Sequence, residues 1–169
     1  MTKKILSILM VCALVVCMCV PAFAAEPAVP YATVYQPYRI GSDAHGWHYL
    51  HGDSDNDQVN MRAFSNEKWT IGRYGDTIKL YLDRTIGSQN QKVLTSDSSG
   101  NAVTLSSEST SKSRTSIEFY TIKHLDNHHD LVHISFPGLS KDLRAESTTK
   151  VRTAPYKPND SAQQWKIEW

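Results

Sequence analysis

One pattern occurs three times in this chain at a spacing of roughly 45 residues, the length of a single supersecondary unit. The copies are HYLHGDSDNDQVNMRAFSNEKWTI from His48, KVLTSDSSGNAVTLSSESTSKSRTSIEFYTI from Lys92 and KDLRAESTTKVRTAPYKPNDSAQQWKI from Lys141. Leu50, Leu94 and Leu143 align, followed by the acids Asp53, Asp97 and Glu146 and then by Val59, Val103 and Val151. Each copy closes on an aromatic residue with an acid or amide two places before it: Glu67-Lys68-Trp69, Glu118-Phe119-Tyr120 and Gln163-Gln164-Trp165. Ile71, Ile122 and Ile167 each stand two places further on. A unit of this size cannot bury its apolar face alone, so its copies share one core.

The texture inside the repeats is β. Runs such as Thr77-Ile78-Lys79-Leu80-Tyr81-Leu82 and Leu131-Val132-His133-Ile134-Ser135-Phe136 alternate apolar with other residues, which puts every second side chain on one face of a strand. Turn-forming clusters separate the runs, among them Ser96-Asp97-Ser98-Ser99-Gly100-Asn101 and Lys157-Pro158-Asn159-Asp160. The number of repeats selects among all-β folds. A propeller needs four or more blades to close its ring, and a sandwich has no reason to repeat three times. The expectation is an all-β chain folded as a β-trefoil of three four-stranded repeats. Closure would remove the sheet edges that invite aggregation.

The chain opens with Lys3 and Lys4, an apolar run from Ile5 to Val20, and Pro21-Ala22-Phe23-Ala24. That reads as a secretory signal at 1–24, cut after Ala24, and the apolar run is short for a membrane span. Residues 25–36 read as a proline-rich N-terminal arm, and 37–169 as a single trefoil domain. All three cysteines, Cys12, Cys17 and Cys19, fall within the signal, so the mature chain forms no disulfide. Its two lysines leave as well: 18 basic residues become 16 against 17 acidic, a net charge of −1. No basic field remains to attract nucleic acid or an anionic membrane.

The closing motif resembles that of the ricin-type lectin family, whose repeats end in Gln-x-Trp. Gln163-Gln164-Trp165 fits it fully, Glu67-Lys68-Trp69 keeps the tryptophan, and Glu118-Phe119-Tyr120 keeps the type of chemistry. The resemblance covers the chain from about Tyr38 to Trp169. It implies shallow saccharide pockets built from an acid after the Leu strand, a stacking ring after the Val position and an amide before the closing motif. Carboxylates and amides suit hydroxyls, and a ring suits the C–H face of a sugar. In the first repeat the candidates are Asp53, Asp55, Arg62, Phe64 and Asn66, with Trp47 and His51 near in sequence. In the third they are Glu146, Tyr156 and Asn159. The second repeat has Asp97 but Ser106 and Ser107 where a ring belongs, and reads as structural.

No cofactor or metal is expected. His45, His48 and His51 alternate faces on a strand, and the acidic run Asp53-Ser54-Asp55-Asn56-Asp57 lacks the glycine and the closing glutamate of a calcium loop. There is no nucleophile elbow or phosphate loop, and no sequence feature selects a carboxylate pair for glycoside hydrolysis. Two functions follow as expectations. One is a secreted non-catalytic carbohydrate-binding protein with a saccharide or glycan as partner. The alternative is a secreted trefoil that docks on a protein, as an inhibitor or surface module.

Overall fold

A computed structural model of the protein describes residues 36–107 and 110–169. The signal and nearly all of the arm expected from the sequence lie outside the described residues. The rest is all-β, as the alternation requires. The strands are β1 (Pro37–Ser42), β2 (His48–Asp53), β3 (Gln58–Ala63), β4 (Trp69–Tyr74), β5 (Thr77–Leu82), β6 (Lys92–Ser96), β7 (Val103–Ser107), β8 (Glu118–Asp126), β9 (His129–Phe136), β10 (Lys141–Ala145), β11 (Val151–Pro155) and β12 (Gln164–Glu168). One helical turn, α1 (Lys112–Thr115), precedes β8. No described helix is long and apolar enough to cross a membrane.

Neighbouring strands pair antiparallel. The order β1-β2-β3-β7-β6-β5-β4 closes into a seven-stranded barrel through the β1–β4 pairing. On the other side of β1, β12 leads to β9, which carries both β8 and the β10–β11 hairpin.

Short polar turns set the hairpins. Asp53 closes the β2–β3 turn, its carboxylate accepting from the Asp55 N–H at 3.1 Å and the Asn56 amide at 2.8 Å. Asp97 closes β6–β7, accepting from the Asn101 N–H and the Ser99 hydroxyl, both at 2.7 Å. In β10–β11 the Ser147 hydroxyl accepts from the N–H groups of Thr149 and Lys150. Side chains that mimic a backbone turn in this way favour Asp, Asn and Ser at such positions.

The three hairpins then grip one another in a cycle. The Asp57 carbonyl accepts from Leu105 N–H at 3.0 Å, the Asn101 carbonyl from Thr153 N–H at 3.0 Å, and the Thr149 carbonyl from Met61 N–H at 3.2 Å. The three donors are the cross-strand partners of Leu50, Leu94 and Leu143.

Those leucines are fully buried, as are Trp69, Ile71, Trp165 and Ile167, with Val59, Val103 and Val151 beside them. The indole N–H of Trp69 donates to the Leu50 carbonyl and that of Trp165 to the Leu143 carbonyl, each at 3.0 Å. The second repeat departs from the sequence alignment. Its inward residues are Ile117 and Phe119, whereas Tyr120 is half-buried and Ile122 is exposed. A strand alternates faces at every residue, so Tyr120 and Ile122 share the parity opposite to Phe119 and point away from the core.

Candidate functional site

The residues expected to form a first-repeat site are dispersed. Both oxygens of Asp53 hold the turn, and the hydrogen bond from Asn56, before the one from the Asp55 backbone, keeps its carboxyl below the usual range. Asp55 and Asn66 are exposed. Arg62 lines a shallow cleft with His48, Asn60, Thr148 and Thr149. Phe64, left-handed at φ 53°, stacks on Trp47 with ring centroids 6.2 Å apart, both rings open to solvent. Between them and the core, His51 meets Ser65 at 3.2 Å and Glu67 at 3.4 Å, while Arg84 reaches Glu67 at 3.6 Å. Burial raises the Glu67 carboxyl above its ordinary value and lowers His51 below its own.

In the third repeat Glu146 is tied to Lys150 at 3.0 Å and Arg152 at 3.2 Å within its hairpin. Asn159 is exposed on the turn beside Pro158. Tyr156 is different. Its ring meets the His133 ring edge-on, centroids 5.0 Å apart, and forms a wall of a 670 Å³ pocket with Tyr120, Thr121, Ile122, Ser135, Asp142 and Pro158. That volume lies within the roughly 300–1,000 Å³ typical of small-ligand sites.

Strand register builds the pocket floor. Tyr120 on β8 faces His133 on β9, and Ser135 on β9 lies between Glu118 on β8 and Asp142 on β10. His133 and Asp142 are almost wholly buried, with His133 Nδ1 3.2 Å from Asp142 Oδ2. The pair is close but not aligned as a hydrogen bond, so both atoms, along with Thr121 Oγ1, are buried without a hydrogen-bond partner. Buried polar atoms are ordinarily paired, so an unpaired set beside a pocket calls for a physical explanation. Tyr120 donates its hydroxyl to Glu118. This bond first, and burial second, push the phenol up to about 12, so it keeps its proton and offers only lone pairs to a third group. No lysine or arginine lines this pocket.

Comparison with the other repeats explains why the space is there. Ser135–Asp142 is the counterpart of the cross-strand pairs Gly41–Tyr49 and Tyr81–Val93. Each of those pairs contains a buried tyrosine. The Tyr49 ring lies so close to Gly41 that a Cβ there would come within 3.1 Å of it, and Tyr81 covers Gly72 in the same manner at 2.6 Å. The third pair has no ring to fill its place. Two residues before Gly41, Tyr81 and Ser135 stand Arg39, Lys79 and His133. Arg39 lies over the Tyr49 ring at 4.0 Å and Lys79 over the Tyr74 ring at 4.3 Å. In the third repeat that fixed cation is replaced by an imidazole.

Tyr156 is thus the one expected residue that enters a built pocket; His133, Asp142, Tyr120 and Thr121 were not expected in a saccharide site. A trace of them is visible in the sequence: Tyr49, Val93 and Asp142 precede the three repeated leucines, and only the last is charged. Among the described residues no three His, Asp or Glu side chains are grouped to hold a metal ion.

No protein-family model matches the sequence, and no curated protein matches it. Solved structures do. A mosquitocidal holotoxin matches with a TM-score of 0.58 at 21% identity, over 79% of this chain and 17% of the toxin. A salivary protein from Culex quiquefasciatus that belongs to the Cysteine and Tryptophan-Rich (CWRC) family matches with a TM-score of 0.56 at 16% identity, over 78% of this chain and 92% of its own. The likeness is one of fold. This chain therefore spans under a fifth of the toxin.

Proposed function

We propose that this chain is a secreted, non-catalytic β-trefoil that binds a saccharide in the pocket beneath Tyr156. The trefoil reading rests on the cyclic grip of the hairpins, in which Met61, Leu105 and Thr153 each donate to the tip of another hairpin. Equivalent bonds at three equivalent positions are what threefold repetition of one unit requires. The indole bonds of Trp69 and Trp165 repeat in the same way and agree with the resemblance to Gln-x-Trp repeats. Secretion rests on the Lys3-Lys4 start and the Ala22-Phe23-Ala24 end of the leading segment.

The observation that carries the binding reading is the pocket itself. An exposed tyrosine ring stands over a floor of buried polar atoms of Thr121, His133 and Asp142 that lack hydrogen-bond partners, the last two 3.2 Å from each other. A ring for the C–H face and polar atoms for the hydroxyls are what a sugar needs. The test is a glycan array on the mature protein, followed by titration of Tyr156→Ala. Loss of binding in that variant, with an unchanged melting temperature, is the expected result. Full retention would remove the pocket from consideration.

The alternative of a protein-docking module draws on the Trp47–Phe64 pair. Two large rings, 69% and 71% exposed, are stacked in solvent on a left-handed backbone position. Aromatic residues of this kind anchor protein interfaces. If Trp47→Ala abolishes capture of a partner that Tyr156→Ala retains, this second surface takes precedence.

A further inference from the structure

The other two repeats fill the space that is open in the third with the chain's own cations and rings. In the first repeat the space beside the barrel holds a cation on a ring: Arg39 over Tyr49, with Glu168 3.6 Å from the guanidinium. In the second repeat Lys79 lies over Tyr74. A cation centred on an aromatic face is attracted by the ring's negative quadrupole, most strongly where water is excluded. The third repeat has rings and acids of its own at other positions: Tyr120 and Tyr156 in the pocket wall, Asp142 on the floor and Glu118 next to it. It lacks the cation and the tyrosine that would fill the space.

The hydrogen-bond inventory points the same way. Asp142 Oδ2 receives no aligned hydrogen bond; its neighbour is the His133 ring nitrogen at 3.2 Å. The Tyr120 oxygen has committed its proton to Glu118 and can only accept from another group. An ammonium has three donors and no acceptor, and its charge answers that of Asp142. A neutral hydroxyl supplies one donor and no charge.

Resting on the saccharide reading of this pocket, we infer that its ligand carries a protonated amine, and that the pocket selects free amino sugars over N-acetylated or neutral ones. The amine would sit between Asp142 and the tyrosine rings, where Arg39 and Lys79 place their own charge in the other repeats. The body of the sugar would lie along Ile122, Tyr156 and Pro158.

The experiment is calorimetric titration of the mature protein with four probes: a glucosamine tetramer, an N-acetylglucosamine tetramer, a glucose tetramer and phenethylamine. The glucosamine tetramer is expected to bind about tenfold or more tighter than the two neutral oligomers, the scale of one desolvated cation–ring and carboxylate contact. Asp142→Asn should erase that preference. Ser135→Tyr, which restores the ring found at Tyr81 in the second repeat, should abolish binding while the thermal melt remains cooperative. It serves as the second variant if Asp142→Asn fails to fold. Equal affinity for all three oligomers would overturn the amine inference and leave the saccharide reading standing. Phenethylamine binding as tightly as the glucosamine tetramer, with neutral sugars silent, would support the amine and sink the saccharide reading. A preference that survives both variants, or no binding of either amine, overturns the inference.

Discussion

Replacing Trp165 tests the proposed threefold core most directly. Its side chain is fully buried, and its indole N–H donates to the Leu143 carbonyl at 3.0 Å in the β10 strand. Trp165→Ala removes the largest side-chain type from a packed core, which costs about 3–5 kcal/mol. In a domain of this size each kcal/mol lowers the melting temperature by about 2–4 °C, so the variant should melt on the order of 10 °C or more below the parent. Trp165→Phe separates two contributions. It keeps most of the apolar volume but leaves the Leu143 carbonyl unpaired, for a cost of about 1–3 kcal/mol. Trp69 makes the same bond to Leu50 from the same depth, so Trp69→Ala and Trp69→Phe should reproduce both values closely. Trp47 is 69% exposed and stacks only on an exposed Phe64, so Trp47→Ala should cost less than about 1 kcal/mol. Urea denaturation followed by circular dichroism reads all five variants. The reasoning fails if Trp47→Ala is the costliest, or if the Trp69 and Trp165 substitutions differ by several kcal/mol.

Phe119→Ala should cost about 3–5 kcal/mol and Tyr120→Ala markedly less, because Phe119 is buried and Tyr120 half-buried; the reverse order in a denaturant series would restore the alignment that places Tyr120 in the core. Glu67→Gln should stabilise the protein at neutral pH by on the order of 1 kcal/mol, since Glu67 is a confined carboxyl at the position where Gln163 closes the third repeat. Its folded-state pKa is raised, chiefly by burial, so the parent's stability from this group is complete below the ordinary glutamate pKa and lost as pH rises through the raised one. The advantage of the Gln variant should therefore open between acid and neutral pH in paired thermal melts, and a gap that is the same at both ends would contradict it. Saturating titration with the tightest saccharide should give one ligand per chain; three equal sites would show that the filled first and second repeats are open after all.

Much of the architecture was legible because a repeat constrains itself. Leu50, Leu94 and Leu143 announce equivalent strands by type and spacing, and Asp53 and Asp97 announce tight turns by the hydrogen bonds their carboxylates can make. The second closing motif misled for a physical reason. Matching by residue type selects Glu118-Phe119-Tyr120, but which residue faces inward is set by strand parity, and parity is fixed by Ile117 and Phe119 packing into the core. One residue of slip moves a whole strand face. The acids expected to hold sugar were ambiguous for a related reason: the residue type that binds hydroxyls is also the one that closes turns, and both oxygens of Asp53 take part in its turn. The pocket was the least legible feature, because it is defined by what is missing. Seeing that Ser135 and Asp142 lack a ring requires their cross-strand register, which no local window of sequence contains.

Departure from symmetry locates the chemistry. The proposed threefold repetition needs equivalent residues inward, and the buried leucines, valines and tryptophans are of that kind. The outer face of the barrel is under no such requirement, and there the repeats diverge. Arg39 with Tyr49, and Lys79 beside Tyr74, occupy two of the three equivalent places with the chain's own cations and rings. Closing the third place in the same way would need only a tyrosine at 135 and a basic residue at 133. The chain instead carries a small hydroxyl and an imidazole there, with a buried acid at Asp142 where Tyr49 and Val93 stand in the other repeats. A buried carboxyl whose one close neighbour, the His133 ring nitrogen at 3.2 Å, is not aligned as a hydrogen bond is incompletely compensated for leaving water. A ligand that supplies the donor removes that penalty on binding, so the same feature that weakens the apo chain strengthens its complex. On the proposed reading the first and second repeats would serve as scaffold, and the third would carry the site.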